Sequence, residues 1–392
     1  MEALKTLGLA ALFTAGLAAQ PSLTAELIFP PEHWHNHSSS IVELPNGDFF
    51  VVWFHGSGER QSDDVKIEGA RWRKSSRSWS PRFDVADTPG FPDTNCVVWI
   101  DSKKKLWLFW PAILANTWES AIMKYRYSTD YMQPDGPPKW DWQDNMLLIP
   151  KRMQERTQEV FAKELKDPGP FKDWATRSIG LAGDKQFSRL GWFTRTHPIE
   201  LPSGRILVPL YSDGFSFGLM GISDDGGKTW RASEPIVGFG NIQPSVVRRK
   251  SGELVAYMRD NGPAPKRILI SVSKDDGETW SPAEDTTIPN PGTSVEAIAL
   301  RNGRWVMAYN DLEKGRHSLA ISMSDDEGRT WKWTRNMQKG AGQYHYPSLI
   351  QASDGSLHLT YSVFETRDGK PAKSIHTRAA HHGITSRNRA SS

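Results

Sequence analysis

Ser324-Asp325-Asp326-Glu327-Gly328-Arg329-Thr330-Trp331 decides how this chain folds. It is the third copy of the pattern S-x-D-x-G-x-T-W. Ser223, Asp225, Gly227, Thr229 and Trp230 form the first copy, and Ser273, Asp275, Gly277, Thr279 and Trp280 the second. The copies lie 50 and then 51 residues apart, counted from Ser223 to Ser273 to Ser324. Each reads as a tight turn. The aspartate bonds its own backbone, and glycine accepts the positive φ that such a turn needs. Serine and threonine hydroxyls close further bonds to the backbone, and tryptophan offers a large apolar body to the adjoining sheet. Three copies at one period imply a repeat architecture.

A second repeat runs beside the first. Apolar alternation interrupted by a glycine turn, the signature of a β-hairpin, occurs at 40–54, 97–110, 198–211, 244–259, 297–309 and 347–361. The last four turn glycines, Gly204, Gly252, Gly303 and Gly355, follow one another at 48, 51 and 52 residues. A unit of about 50 residues holding four strands is a propeller blade. Six hairpins therefore predict an all-β, six-bladed β-propeller spanning 26–380. Each hairpin supplies the two inner strands of its blade, and each S-x-D-x-G-x-T-W turn joins the two outer ones. Degenerate outer turns fall at Ser75–Trp79 and Ser128–Trp140. The segment Glu26–Trp34 is expected to close the ring on the last blade. Residues 134–190 form an insertion between the second and third blades, expected to hold one helix over Lys151–Lys166. The polar, basic tail at 381–392 is expected to be disordered.

Composition agrees with a turn-rich sheet protein. The 392 residues include 17 Trp, 32 Gly and 26 Pro. With 48 basic against 45 acidic residues, the chain carries no nucleic-acid footprint. Lys5 followed by an apolar run from Leu7 to Ala19 reads as a signal peptide over 1–25. The run is too short to span a membrane well. Export to the periplasm or the medium follows as an expectation. The single cysteine, Cys96, excludes an internal disulfide. No H-E-x-x-H, cysteine pair or EF-hand loop is present, so neither a metal nor a cofactor is expected.

Inner strands of a propeller converge on a central channel, and ligands bind at its mouth. The residues just ahead of the hairpins are polar in every blade. They include His37, Asn95, Arg195, His197, Gln243, Glu296, Tyr344 and Tyr346. Arg259 and Arg316 add cations at strand ends, and guanidinium groups suit carboxylates. Asp63 and Asp64, on a loop after the first hairpin, are candidates for a general acid.

The repeated turns resemble the Asp-boxes, or BNR repeats, of the sialidase superfamily, whose fold is a six-bladed propeller. The resemblance covers nearly all of the chain beyond its leader. It implies that Arg259 and Arg316 match two of the family's three carboxylate-binding arginines. Tyr346 matches its nucleophilic tyrosine, and Asp63 or Asp64 its acid. Two positions depart from the family. His37 replaces the first arginine, and Gln243 replaces the glutamate that activates the tyrosine. Glu296 is a candidate to act in its stead.

Three functions stay open at this point. One is an exo-acting glycoside hydrolase on an acidic sugar, with Arg195, Gln243, Asn95 and Tyr344 as further substrate contacts. The second is a lyase acting on uronate polysaccharides, with His37 or His197 as base, Tyr346 as acid and the arginines stabilising the carboxylate. A glycan-binding propeller without catalysis is the third. In each case the partner is a glycan.

Overall fold

The computed structural model describes residues 22–166, 169 and 171–381. Residues 1–21 of the expected signal peptide and 382–392 of the expected tail lie outside them. Six antiparallel sheets form the blades of one propeller. The first is built from His35–Glu43, Phe49–Gly56, Lys66–Arg73 and Ser78–Trp79, with Phe83–Ala86 also on its third strand. Val97–Ile100, Leu106–Ile113, Ala121–Ser128 and Trp142–Asn145 make the second. In the third, Phe193–Thr194 and Ile199–Glu200 both pair with Ile206–Ser212, so its inner strand is split. Phe217–Ser223 and Arg231–Ala232 complete it. The fourth runs from Asn241–Arg248 to Glu284–Pro289, the fifth from Glu296–Ala299 to Trp333–Lys339.

The last blade takes its inner strands, Gln343–Gln351, Leu357–Arg367 and Lys370–His381, from the end of the chain. Its outermost strand is Ser22–Leu27, paired antiparallel with Lys370–His381. The ring closes where the sequence predicts, although pairing begins at Ser22 rather than Glu26. Six apolar clusters hold the ring, one between each neighbouring pair of blades. For example, Ile41, Val51 and Trp53 meet Ala352 and Ile375 between the first and last blades. Tyr257, Trp305 and Met307 fill the gap between the fourth and fifth.

The S-x-D-x-G-x-T-W turns repeat atom for atom. In the first, Asp225 Oδ1 accepts from the Thr229 backbone at 3.0 Å and Oδ2 from the Thr229 hydroxyl at 2.6 Å. Ser223 Oγ accepts from Gly227 N at 2.8 Å. Asp275 and Asp326 make the same bonds. These donors hold the Asp225 carboxyl down at about 2, the Thr229 side chain foremost. The glycines do a second job. Gly227 has φ +83° and lies against the Trp107 ring of the preceding blade, while Gly328 lies against Tyr257 and Trp305. A methyl group at Gly227 collides with Trp107 and must also take left-handed backbone. Gly227→Ala is expected to cost about 2–5 kcal/mol, from overpacking and φ together, read as a lowered urea midpoint. A cost below about 0.5 kcal/mol, the range of an ordinary surface substitution, would contradict this role.

Among its described residues the insertion carries four short helices rather than one: Met153–Val160, Ala162–Lys166, Lys172–Gly183 and Lys185–Arg189. Gly180 and Gly183 lower the helix propensity of the third. Packing overrides this, because Ala175 and Ala182 are buried in the apolar cluster that joins blades two and three. Asp184 caps the fourth helix, accepting from Gln186 N at 2.7 Å and Phe187 N at 3.1 Å. Phe161 anchors the group against Phe217 and Phe239. No helix among the described residues is long and apolar enough to cross a membrane.

Candidate active site at the channel mouth

Bulges aim the site. The pairing of inner strand with second strand slips between His37 and Ser40, Ile242 and Ser245, and His345 and Ser348. At these slips Ser38, Gln243 and Tyr346 take φ of 56°, 56° and 58°, and Asn95 takes 39° at the matching place in the second blade. Non-glycine residues adopt this conformation at a cost. A bulge leaves its extra residue out of the ladder and re-aims its side chain, here toward the channel mouth.

Tyr346 is the centre of the cluster. Its hydroxyl accepts from Arg259 Nη1 at 3.0 Å and from Gln243 Nε2 at 3.1 Å. Gln243 Nε2 also donates to the Tyr211 hydroxyl at 3.0 Å, which receives Asn95 Nδ2 at the same distance. Asn95 and Gln243 therefore meet the tyrosines rather than open solvent. Burial, then the charges of Asp213 and Tyr346, push Tyr211 well above the usual tyrosine range, so it stays neutral. His37 stacks on the Tyr346 ring with centroids 4.2 Å apart, and its Nδ1 meets Ser362 Oγ at 2.8 Å. Burial foremost, then nearby His345, His35 and arginines, hold its pKa well below the usual value. His37 is thus a neutral wall residue and does not substitute for a carboxylate-binding arginine. His345 is buried beside it and lowered for the same first reason.

Arg259 and Arg316 face the mouth together. Burial and Arg259 both depress Arg316, while Tyr346 opposes them. Arg316 Nη2 donates to Gly292 O at 3.3 Å. Tyr344 is not at the mouth. Its side chain belongs to the apolar cluster between blades five and six, and its backbone N–H steadies Arg316 through the Arg316 carbonyl at 2.7 Å.

Beneath Tyr346 lies a buried ionic floor. Arg195 sits under the Tyr346 ring, 5.0 Å from its centroid. It donates to Pro347 O at 2.8 Å and is 1% exposed, which removes it from direct contact with substrate. Glu296 does not reach Tyr346. Its carboxylate accepts from His197 Nδ1 at 2.7 Å, His197 N at 3.0 Å and Leu349 N at 2.7 Å. His197 Nε2 faces Ile41 O at 3.0 Å. With both ring nitrogens engaged, His197 is not free to act as a base.

Asp63 and Asp64 do not join the cluster. Asp64 closes its own loop, accepting from Ser57 N at 3.1 Å and Ser57 Oγ at 2.7 Å. Asp63 accepts from Asn116 Nδ2 at 2.9 Å. Two other carboxyls stand at the mouth. Burial would raise Glu59, but His35 at 3.1 Å, with Arg60 and Lys373, holds it below the usual range. Asp213 is the opposite case. Burial raises its carboxyl to about 6 against the pull of Arg259. Tyr211 and Asp213 stand where the second strand of blade three ends, as Arg259 does in blade four. Among the described residues no group of three or more His, Cys, Asp or Glu is placed to hold a metal. A cavity of about 450 Å³ lined by Trp72, Trp79 and His358 lies at the other end of the strands and shares no residue with the cluster.

Comparison with known proteins agrees with this architecture. The family model described as a BNR repeat-like domain matches residues 47–359. A sialidase of Micromonospora viridifaciens is 29% identical over 149 residues, 36% of this chain and 22% of that protein. An anhydrosialidase of Macrobdella decora is 27% identical over 185 residues, 42% of this chain and 24% of that protein. The chain thus matches under a quarter of the length of these relatives. Among solved structures, a Dyadobacter fermentans protein of unknown function superposes with a TM-score of 0.68 at 15% identity, covering 91% of this chain and 98% of that one. The leech intramolecular trans-sialidase, complexed with 2,7-anhydro-Neu5Ac, gives 0.66 at 15% identity over 91% of this chain and 70% of its own. Six blades closed by the N-terminal strand, three Asp-box turns and a family match over most of its length place this chain in the BNR repeat-like family of the sialidase propeller superfamily.

Proposed function

We propose that the channel mouth binds a terminal acidic sugar and that the protein is an exo-acting glycoside hydrolase, exported to act on glycans outside the cytoplasm. The observation that carries this reading is Arg259, which touches the Tyr346 hydroxyl at 3.0 Å with Arg316 beside it. Two guanidinium groups next to one reacting hydroxyl suit a sugar whose carboxylate sits near the bond to be cut. Tyr346 faces the anomeric carbon as nucleophile or as stabiliser of its positive charge. Asp213 replaces Asp63 and Asp64 as the proposed proton donor to the leaving oxygen, because a carboxyl near 6 can hold and give a proton close to neutrality.

The test is release of free sialic acid or uronate from a panel of sialylated and uronate-capped oligosaccharides. The rate is expected to fall as pH rises through about 6, where Asp213 loses its proton. Asp213→Asn should lower the rate and flatten that limb. A limb unchanged by the substitution would take the acid role away from Asp213.

Gln243 favours a second reading, glycan binding without turnover. A glutamate there could take the Tyr346 proton, whereas an amide cannot. Binding of an acidic sugar with no release across the panel would select this reading. Elimination on uronates has less support, since His37 is neutral but packed on Tyr346 and His197 is held by Glu296 and Ile41.

A further inference from the structure

The helical insertion does more than decorate the rim. A cavity of about 380 Å³ opens between the helix Lys172–Gly183 and the loop that follows the second strand of blade three. Asp173, Trp174, Arg177 and Ser178 line it from the helix, and Asp213 and Phe215 from the loop. Asp213 also belongs to the mouth, where it is electrostatically coupled to Arg259. A polar chain ties the two spaces together. Arg259 Nη2 donates to Asn261 Oδ1 at 3.4 Å, and Asn261 Nδ2 donates to Ser216 Oγ, on the cavity wall, at 3.4 Å.

We propose that this cavity is a subsite for the neighbouring, neutral sugar of an acidic oligosaccharide, the residue from which the terminal acid is cut. The proposal rests on the acidic-sugar reading of the mouth and extends it. The volume lies within the range of small-ligand pockets, about 300–1,000 Å³. Aromatic rings interleaved with carboxylate, guanidinium and hydroxyl groups match a pyranose, which has an apolar face and a rim of hydroxyls. Two acids, Asp173 and Asp213, against one base, Arg177, give no positive excess for a second acidic sugar. The chemistry of the lining thus divides the substrate. Its charged end goes to Arg259 and Arg316, and its neutral end goes to Trp174.

The full chain is compared on two probe pairs, 3'-sialyllactose against N-acetylneuraminic acid, and a glucuronate-capped neutral disaccharide against glucuronate. Affinity is read by titration, or as KM from initial rates where sugar is released. The longer member of the pair that binds should bind about tenfold more tightly, equivalent to about 1.4 kcal/mol. Trp174→Ala should remove that advantage and leave the monosaccharide affinity as it was. Arg177→Ala, at an exposed helix position, should do so in part and guards against misfolding of the tryptophan variant. Equal affinity for both members in the wild type overturns the subsite alone. So does an advantage that survives both substitutions. If neither pair binds, the acidic-sugar reading falls and the subsite falls with it.

Discussion

Arg259→Ala is expected to weaken binding of an acidic monosaccharide by about tenfold to a hundredfold, the worth of a hydrogen bond to a charged group, about 1.5–3 kcal/mol. The methyl ester of the same sugar should bind the wild type and the variant alike, because it has no carboxylate charge to lose. Arg259 acts twice in this account. It is one of two cations for the carboxylate, and it donates to the Tyr346 hydroxyl at 3.0 Å. Turnover should therefore fall further than binding, since charge on the Tyr346 oxygen loses one of its two N–H donors in the transition state. The other donor, Gln243 Nε2, stays in place at 3.1 Å. Titration calorimetry on the acid and its ester separates the two effects from misfolding. An equal loss for acid and ester would mean that Arg259 shapes the mouth without reading the carboxylate.

Glu296→Gln should be the most destabilising isosteric change at the site, by about 3–5 kcal/mol, the usual cost of removing one partner of a buried pair. Glu296 is buried and accepts three hydrogen bonds from His197 and Leu349. Its charge also offsets the buried Arg195 under Tyr346. Burial would raise the Glu296 carboxyl, but His197 foremost, then Arg195, hold it below its ordinary value of 4.5. A carboxyl lowered in the folded state contributes stability that is fully present above the unfolded value. That stability is lost as pH falls through the folded one. The wild type should lose stability below about pH 4.5, and the glutamine variant should lack this part of the acid limb. Urea midpoints at neutral and acid pH check both statements. An acid limb of the same depth in the variant would show that other carboxylates carry it.

The fold was legible because its signals are local and repeated. Asp225, Asp275 and Asp326 each bond their own turn, so spacing alone locates the outer turns of three blades. The hairpin glycines locate the inner strands. Asn95 was legible as a mouth residue because it precedes an inner strand, and Gln243 and Tyr346 because they lie near the start of theirs. What failed was of two kinds. Asp63 and Asp64 looked available on a flexible loop, yet Asp64 finds a local donor in Ser57, and Asp63 a distant one in Asn116, 53 positions along the chain. Glu296 looked free to serve Tyr346, but its partner His197 lies 99 positions away in the chain, a distance that spacing does not reveal. Tyr211 and Asp213 had a readable signal. An antiparallel hairpin returns its second strand to the end where the first began. The ends of the second strands therefore reach the same mouth, and only Arg259 of that set was singled out. The insertion helices Lys172–Gly183 and Lys185–Arg189 follow Pro168 and Pro170 in the sequence. Their helical character comes from packing on Phe239 and the third blade more than from propensity.

The central claim is that Arg259 and Arg316 together hold a sugar carboxylate at the channel mouth. A crystal of the protein soaked with the acidic monosaccharide that binds it in solution tests this most directly. The carboxylate is expected within about 2.7–3.2 Å of both guanidinium groups, with the ring over Tyr346. A carboxylate bound elsewhere, or a sugar at the mouth with its carboxylate turned away from both arginines, would contradict it.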